Sequence, residues 1–467
     1  MTGPHPSRMS RRRLLQLGAL TPAAYLAACA ETLIPTPTHT PRLESAAPVP
    51  SVTPAVTPSP TPRPTPTPGP TPAPTGAPTL YRGAALADGR SPRLQRNISI
   101  LVEAGTIRWM RPTSDEEGAR GAAVVDAAGA TIVPGLVDAH AHLTGAGGAH
   151  WIDRFADPPA VLAATGEANA GLAWQSGVRW LRDVGSPVRD DPVDGRHRAV
   201  SLGVRDRLRG VPGFPVIRAA GSWLTRSGSL PAGISAEARN ADQLLALAVR
   251  QLDDGADLIK LYLDGPGGTP PWSIAEARRV VEAAHARGAR VAAHAGRIGA
   301  IRVGVEAGVD TIEHGTELDA YTARRMRDTG TILVSTLTVL RSWLSFGDTT
   351  TIPFFAATPS RRRIADQLEA AEAAVRTARA TGVAIAGGSD SGGGSARANH
   401  IVWEYQSLIA AGLEPVDALA AVTWRGGEAL GEPEAGVLRE GGQAHFFLVH
   451  GDPLTDAGAL WRVWRHA

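Results

Sequence analysis

From residue 135 onwards, the chain alternates short apolar segments with longer segments rich in alanine, the pattern of repeated strand–helix units. Strands that alternate with helices form parallel sheets. Eight such strands favour a closed barrel over an open, doubly wound sheet. No Gly-x-Gly-x-x-Gly motif follows a strand to support a nucleotide-binding sheet. The predicted strands are Leu136–His142, Val178–Val184, Pro215–Ala220, Asp257–Leu263, Arg290–His294, Thr311–His314, Ile332–Thr336 and Val383–Gly388.

The predicted fold is therefore α/β, with a (β/α)8 TIM barrel over residues 135–432. Segments with β-like sequence lie on both sides of it, at residues 79–134 and 433–467. We predict that these two segments pair into a small β-sandwich flanking the barrel. Helices are predicted at Ala236–Asp254, Ser273–Arg287, Arg361–Thr381, Ala396–Ala411 and Pro415–Leu430.

The first 78 residues have the composition of a targeting segment and a linker. Residues 1–28 carry the twin-arginine pattern Ser10–Leu15 and a short apolar run that ends at Cys29, the only cysteine. This pattern predicts a twin-arginine, lipoprotein-type signal with Cys29 as the lipidation site. Residues 29–78 are rich in threonine and proline, which predicts a disordered, extended linker. The expected location is the outer face of the cell membrane, extracellular or periplasmic.

Charge excludes one class of partner. The formal net charge is +2, and the folded part has no cluster of basic residues of the kind that binds nucleic acid. We therefore expect a small-molecule substrate, a membrane contact through the lipid on Cys29, and no nucleic acid. A homo-oligomer is left open.

Polar side chains recur at the ends of the predicted strands. In a βα barrel, the carboxyl ends of the strands surround the active site. Lys260 on the fourth strand is the only lysine in the chain, and a buried lysine can lose its proton, unlike arginine. Buried imidazoles and carboxylates need partners, which a metal ion supplies. The strand-end residues are His140, His142, Lys260, His294, His314 and Asp390.

Several of these segments resemble the strand signatures of the amidohydrolase superfamily. The resemblance is to the group that contains imidazolonepropionase-like and Xaa-Pro dipeptidase-like enzymes. It covers essentially residues 80–460. The segments that carry it are Pro134–Leu143, Gly177–Gly185, Ala293–Ala295, Gly308–Gly315 and Gly382–Asp390.

The resemblance implies two divalent metal ions, usually zinc. His140 and His142 would bind the more buried ion together with Asp390. His294 and His314 would bind the second ion. Lys260 would bridge both ions as its N-carboxylated form. The reaction implied is amide hydrolysis by a metal-bridging hydroxide, with Asp390 as the catalytic residue that transfers the proton to the leaving amine.

Three polar side chains are candidates for substrate binding. Tyr262 is a candidate substrate-binding residue because it faces the same side of its strand as Lys260. Arg226 and Arg297 lie in loops above the predicted barrel and are candidates for binding a substrate carboxylate. The leading hypothesis is a hydrolase of dipeptides or N-acyl amino acids. Cyclic amides (imidazolone, hydantoin or lactam) and ester or organophosphate substrates are the alternatives. A solute-binding lipoprotein is the alternative from a different functional class.

Overall fold

The computed structural model describes residues 77–467. The predicted signal, Cys29 and nearly all of the predicted linker therefore lie outside the described residues. Within residues 77–467, no helix is both long enough and apolar enough to cross a bilayer.

The strands are numbered in chain order. They are β1 (Thr79–Leu86), β2 (Gln95–Glu103), β3 (Thr106–Pro112), β4 (Ala123–Asp126), β5 (Ala130–Pro134), β6 (Leu136–Ala141), β7 (Val178–Asp183), β8 (Val188–Asp190), β9 (His197–Ala199), β10 (Val216–Ala219), β11 (Leu224–Arg226), β12 (Ala236–Ala238), β13 (Leu258–Tyr262), β14 (Arg290–Ala295), β15 (Thr311–His314), β16 (Ile332–Ser335), β17 (Ile385–Gly387), β18 (Phe446–His450) and β19 (Val463–His466).

The α-helices are numbered in the same way, and short 3-10 turns occur at Asp153–Ala156, Pro266–Gly268 and Ala457–Trp461. The helices are α1 (Pro159–Gln175), α2 (Val200–Leu208), α3 (Ala241–Asp253), α4 (Ile274–His285), α5 (Ile298–Ala307), α6 (Ala320–Thr329), α7 (Leu337–Thr349), α8 (Pro353–Ala356), α9 (Thr358–Thr381), α10 (Ile401–Ala410), α11 (Pro415–Ala421) and α12 (Trp424–Leu430).

The barrel consists of β6, β7, β10, β13, β14, β15, β16 and β17, and all pairings between neighbours are parallel. Its strands are buried on both faces, as parallel strands covered by helices must be: every residue of β6 and of β13 is buried. The ring closes where the Asp390 amide donates to the His140 carbonyl, at 2.8 Å. Between β10 and β13, the Asp257 amide donates to the Ala219 carbonyl at 2.8 Å, and β11 pairs with β13.

The two ends of the described chain share one sheet. Its strand order is β19-β18-β5-β1-β2-β3, and β4 pairs with β1. The C-terminal strand β18 is antiparallel to β5, so the predicted β-sandwich from both chain ends is confirmed. Side chains of β18 alternate between two cores: Phe446 and Leu448 pack within the sandwich, whereas Phe447 and Val449 pack against the barrel.

The TIM barrel prediction is confirmed, and each observed barrel strand lies within two residues of its predicted bounds. Three predicted helices differ in the structure, and one of them, predicted at Ala396–Ala411, begins only at Ile401. Residues 236–238 form strand β12 instead of the start of a helix, because they pair with β11 and this pairing overrides the helical preference of alanine and glutamate. The predicted helix Pro415–Leu430 is interrupted at residues 422–423 and forms α11 and α12.

Candidate metal centre and active-site cavity

Three predicted ligands converge at the carboxyl end of the barrel. His140 and His142 come from β6, where the two-residue period of a strand directs both side chains the same way, and Asp390 follows β17. One potential ligand atom from each of the three lies within 4.8 Å of the other two. Asp390 Oδ1 is 3.6 Å from His140 Nε2 and 3.4 Å from His142 Nε2.

Hydrogen bonds fix the orientation of these two imidazoles. His140 Nδ1 donates to Glu313 Oε2 at 2.6 Å, and His142 Nδ1 donates to the Gly185 carbonyl at 2.9 Å. Because carboxylates and carbonyls only accept, the protons lie on Nδ1 and each Nε2 keeps a lone pair directed at the site. Burial, and then the charge of Lys260, lowers the pKa of His140 well below its usual range, which keeps it neutral as a metal ligand must be.

The Glu313 carboxylate is shared between His140 and a buried arginine. Arg182 Nη2 donates to Glu313 Oε1 at 2.8 Å, and Thr311 Oγ1 donates to the same oxygen. Arg182 also donates from Nε to the Ala139 carbonyl at 2.6 Å. Both Arg182 and Glu313 are completely buried, so this pair holds β6, β7 and β15 in fixed register behind the site.

Lys260 lies on β13, on the inner side of the barrel, and lines the cavity above the site. It is buried, and Nζ has no hydrogen-bond partner among the described residues. A buried amine without a partner is costly. Burial lowers the pKa of Lys260 to about 8, so a substantial fraction of the amine is neutral in weakly basic solution.

His294 and His314 lie on the neighbouring strands β14 and β15, with ring centroids 4.6 Å apart. His314 Nδ1 contacts Thr336 Oγ1 at 2.7 Å. His294 Nε2 is 3.1 Å from Asp264 Oδ2, but the geometry is not that of a hydrogen bond and this nitrogen has no other partner among residues 77–467. Burial lowers the pKa of His314 well below its usual range.

Two of the predicted ligands have a left-handed backbone. The φ angle is +71° at His314 and +49° at Asp390. Residues other than glycine adopt this conformation at a cost, and such positions concentrate at functional sites. At both, the turn lies at or just after the end of a strand, and the side chain lines the cavity.

The converging side chains form the floor of a cavity that encloses about 1170 Å³ of free space, including its open mouth. Above the floor, the wall is mainly aromatic and aliphatic, as is typical of small-molecule sites. One part comes from residues 151–155 and 223–234, and another from α7. The apolar lining residues are Trp151, Ile152, Phe155, Trp223, Leu230, Ile234, Leu337, Val339, Leu340, Trp343 and Ala371.

Of the three predicted substrate-binding residues, the structure brings only Tyr262 into the cavity lining. Its ring stacks on His294, with centroids 4.1 Å apart and planes 8° apart. Arg226 donates to the Pro271 carbonyl at 2.8 Å and lies over the Trp272 ring, outside the lining. Arg297 is also outside the lining and pairs with Glu317 at 3.3 Å.

Sequence reasoning missed the buried carboxylates that support the site. Glu313 is one, and Asp138 is another: it accepts from the Ser389 hydroxyl at 2.5 Å and from the Ser389 amide at 2.9 Å. Burial raises the pKa of Asp138 to about 7. The available signal was position, because Asp138 precedes His140 and Glu313 precedes His314 on strands predicted to be buried in the barrel, where a carboxylate requires a specific partner.

The donor set fits divalent metal ions. Imidazole nitrogens with fixed tautomers and a carboxylate are ligands for zinc, manganese, cobalt or iron. A metal site requires free lone pairs, which are present at Nε2 of His140 and His142. Lys260 Nζ and His294 Nε2 accordingly have no hydrogen-bond partner among the described residues. His140, His142 and Asp390 would hold one ion.

Comparisons with known proteins agree with this site. A model described as the amidohydrolase family matches residues 131–463. An uncharacterized protein of Mycobacterium tuberculosis is 30% identical over 339 residues, which cover 71% of this chain and 82% of that protein. Ochratoxinase of Aspergillus niger is 24% identical over 365 residues, which cover 72% of this chain and 74% of that enzyme.

Two solved structures share the fold. A crystal structure of A. niger ochratoxinase superposes with a TM-score of 0.70 at 20% identity, covering 84% of this chain and 94% of that one. A crystal structure of a Xaa-Pro dipeptidase with methionine bound in its active site superposes with a TM-score of 0.70 at 24% identity, covering 83% of this chain and 97% of that one.

The family match covers most of the folded chain and confirms the superfamily predicted from the strand signatures. The matched residues include all eight barrel strands and the six predicted metal ligands at the strand ends. This chain belongs to the amidohydrolase family and is a metal-dependent enzyme that acts on carbon–nitrogen bonds in small molecules.

Proposed function

We propose that this chain hydrolyses the amide bond of small substrates, dipeptides or N-acyl amino acids with a large apolar group, at a pair of divalent metal ions. The observation that carries the proposal is the buried, partnerless amine of Lys260 beside the group formed by His140, His142 and Asp390. A structural lysine at this depth would need an acceptor, which the described residues do not provide.

Each predicted ligand has a defined part in the proposal. His140, His142 and Asp390 would hold the first ion, and His294 and His314 would hold the second. Lys260 would be a ligand shared by both ions as a carbamate, which forms when its neutral amine adds to CO2 and releases a proton. The lowered pKa of about 8 favours that reaction, because only the neutral amine is nucleophilic.

Bound metal ions would supply Lewis-acid activation of water and of the scissile carbonyl. The protein itself provides positioning and proton transfer. Asp390 lies at the floor, where it would take a proton from the attacking water and return it to the leaving amine. The aromatic wall excludes bulk water and holds the apolar part of the substrate over the site.

Two structural relatives support amides as the substrate class. One is the Xaa-Pro dipeptidase that holds methionine, an apolar amino acid, in its active site. The other is ochratoxinase. Their identity to this chain is 24% and 20%, so the proposal rests chiefly on the side chains of this chain.

The test combines metal analysis with a substrate screen. The purified protein, loaded with zinc in bicarbonate, is expected to contain two ions per chain and to hydrolyse members of a dipeptide and N-acyl-amino-acid library. Hydrolysis only of cyclic amides or of esters would assign the alternative substrate classes. Ligand binding without any turnover would indicate a solute-binding protein.

Replacing Lys260 tests the bridge directly. Lys260→Arg keeps the positive charge but cannot form a carbamate, so it is expected to lose the second ion and most of the activity. Loading of the wild-type protein is expected to accelerate as pH rises through about 8 and to require bicarbonate. A Lys260→Arg variant with two tightly bound ions and full activity would refute the carbamate.

We also propose that the chain is exported and anchored through a lipid on Cys29, on the basis of the twin-arginine pattern and the Leu26–Ala28 segment before that cysteine. Labelled fatty acid supplied to cells is expected to appear in the full-length protein but not in Cys29→Ser. Equal labelling of both proteins would contradict this assignment.

A further inference from the structure

The charges that line the cavity are confined to its floor and to one acidic residue. Among the described lining residues, the ionisable ones besides Tyr262 are the six predicted ligands and Asp264. None is an arginine, and the chain has no lysine other than Lys260. Once Lys260 is a carbamate, no side chain of this lining can pair with a substrate carboxylate.

The arginines predicted to bind such a carboxylate are committed elsewhere. The Arg226 guanidinium donates to the Pro271 carbonyl and covers the Trp272 ring, whereas Arg297 pairs with Glu317. In contrast, Asp264 does line the cavity. It accepts from the backbone amides of Gly296 and Arg297, at 2.7 and 3.1 Å, so its carboxylate is held in place.

The remaining wall is apolar and large. Phe155, Trp223, Ile234 and Tyr262 form one packed cluster, extended by Trp151 and other partly buried residues. Helix α7 supplies further aliphatic side chains and Trp343. The neutral hydrogen-bonding groups are few and include Gln367 and Thr316. Such a lining stabilises a desolvated aromatic or branched aliphatic group, and it offers an anion no cationic side chain to pair with.

From these observations we infer that the preferred substrate is an uncharged amide: the part that enters the cavity has a bulky, preferably aromatic, group and no carboxylate. This inference rests on the proposed amide hydrolysis, and it extends the substrate class beyond dipeptides and N-acyl amino acids, all of which carry a carboxylate. A dipeptide or N-acyl amino acid would then be cleaved in spite of its carboxylate, and the same amide without that group would be the better substrate.

A matched pair of substrates tests this. N-benzoylphenylalanine and N-benzoylphenethylamine share the scissile amide and both aromatic rings, and differ only in the carboxylate. With the metal-loaded, full-length protein, we expect kcat/KM for N-benzoylphenethylamine to be higher by about tenfold or more, because burial of an unpaired carboxylate is strongly unfavourable. An equal or higher kcat/KM for N-benzoylphenylalanine would overturn the inference.

Binding provides a readout that is independent of turnover. Trp151, Trp223 and Trp343 line the cavity, so titration of tryptophan fluorescence reports occupancy for both compounds even where neither is hydrolysed. We expect a lower Kd for N-benzoylphenethylamine than for N-benzoylphenylalanine, in the same order of preference as kcat/KM. Failure to hydrolyse any amide would count against the proposed function, whereas a reversed order of kcat/KM or Kd would count against this inference alone.

A variant with an added cation should reverse the preference. Gln367 lines the cavity from α9, so Gln367→Arg is expected to raise kcat/KM for N-benzoylphenylalanine several-fold relative to the uncharged amide. Ala365→Arg is the matched control, since it adds the same charge at an exposed position of the same helix. An equal effect of both variants would show that the response comes from general electrostatics, and would also contradict the inference.

Discussion

At the scale of single residues, Glu313 connects the candidate metal centre to the barrel interior. One of its oxygens accepts from His140 and the other from Arg182, and all three side chains are buried. A buried carboxylate in this position orients the imidazole and also neutralises the guanidinium. Loss of its charge therefore affects both metal binding and stability.

We expect Glu313→Gln to lower metal affinity by about 10- to 100-fold, because His140 loses its orienting partner. The free energy of unfolding should also fall by about 3–5 kcal/mol, since Arg182 is left as a buried charge without a counterion. Competition with a chelator and urea denaturation measure the two effects.

The control is Glu306→Gln, which removes an exposed partner of Arg325 and is expected to cost less than about 1 kcal/mol. Wild-type metal affinity in Glu313→Gln would contradict the orienting role.

Gly393 is a second residue on which the metal centre depends. A Cβ atom at this position would overlap the imidazole of His142 and lie 2.7 Å from Asp390 Oδ1. Gly393→Ala is therefore expected to displace one of these ligands and to weaken metal binding by about tenfold or more. Isothermal titration with zinc measures the change.

Gly299→Ala serves as the control for that variant. Its Cβ would meet Pro270 at an ordinary 3.5 Å, and alanine favours helix α5 by about 0.5–1 kcal/mol. Unchanged zinc affinity is expected for Gly299→Ala. If Gly393→Ala also bound zinc normally, the loop after Asp390 could not lie as close to His142 as described.

The residues at the floor of the cavity were predictable because of where they occur. Histidine, lysine and aspartate at the ends of apolar strands are conspicuous, and a barrel brings strand ends together. Arg226 and Arg297 were selected because they lie in loops above the barrel, but position in such a loop does not determine where a long side chain points. Glu313 and Asp138 were missed since their function depends on partners more than 100 residues away in sequence, Arg182 and Ser389.

At the scale of elements, Glu404 of helix α10 connects the seventh barrel strand to a helix that lines the cavity. Its carboxylate accepts from the Ser335 hydroxyl at 2.7 Å, and from the amide and hydroxyl of Thr338 at 2.8 and 2.9 Å. Ser335 ends β16 and Thr338 lies in the first turn of α7. The position of α7 is thus determined by a buried acid on a distant helix.

Burial raises the pKa of Glu404 above its ordinary value of 4.5, although its hydrogen bonds oppose this. The folded state therefore retains the proton more tightly than the unfolded chain. The stabilisation is present below about pH 4.5 and is lost as pH rises through the raised pKa. Urea denaturation of metal-free protein at a series of pH values measures this effect. The free energy of unfolding of wild type should fall relative to that of Glu404→Gln as pH rises from about 4.5 through the raised pKa.

Glu369→Gln provides the comparison, because Glu369 is exposed on helix α9. Its stability curve should run parallel to that of wild type as pH increases. A constant difference between wild type and Glu404→Gln over the same range would show that the carboxyl group does not titrate on unfolding.

The barrel strands were predictable because continuous apolar runs bounded by turns have few alternatives in a parallel sheet. The elements inserted above the barrel were not. Helix α7 lies in a segment where no helix was predicted, and β12 lies in one expected to be helical. Both are determined by contacts outside their own sequence: α7 by Glu404 and β12 by β11.

At the scale of the whole molecule, β18 joins the sandwich to the barrel. Phe446 and Phe447 are neighbours in sequence and both are completely buried, yet they pack in different cores. The two units are therefore expected to unfold together, since loosening one removes the side chains that fill the other.

Phe447→Ala tests this coupling. Although Phe447 belongs to the sandwich sheet, its truncation leaves a cavity in the barrel core and should cost about 3–5 kcal/mol. Calorimetry is expected to show a single transition at lower Tm. Val124→Ala is the control, because Val124 is exposed on β4 and should change stability by less than about 0.5 kcal/mol. Two separate transitions in Phe447→Ala would show that barrel and sandwich are independent.

The pairing of β18 with β5 also has a consequence for biosynthesis. The ribosome must add residues 135–445 between these two strands, which takes on the order of 15–60 s at roughly 5–20 residues per second. During that interval, β5 has an unpaired edge and the barrel lacks Phe447 and Val449. A premature stop codon shortly before residue 446 would therefore yield a chain with every predicted metal ligand and an exposed edge on β5, the kind of surface that promotes aggregation.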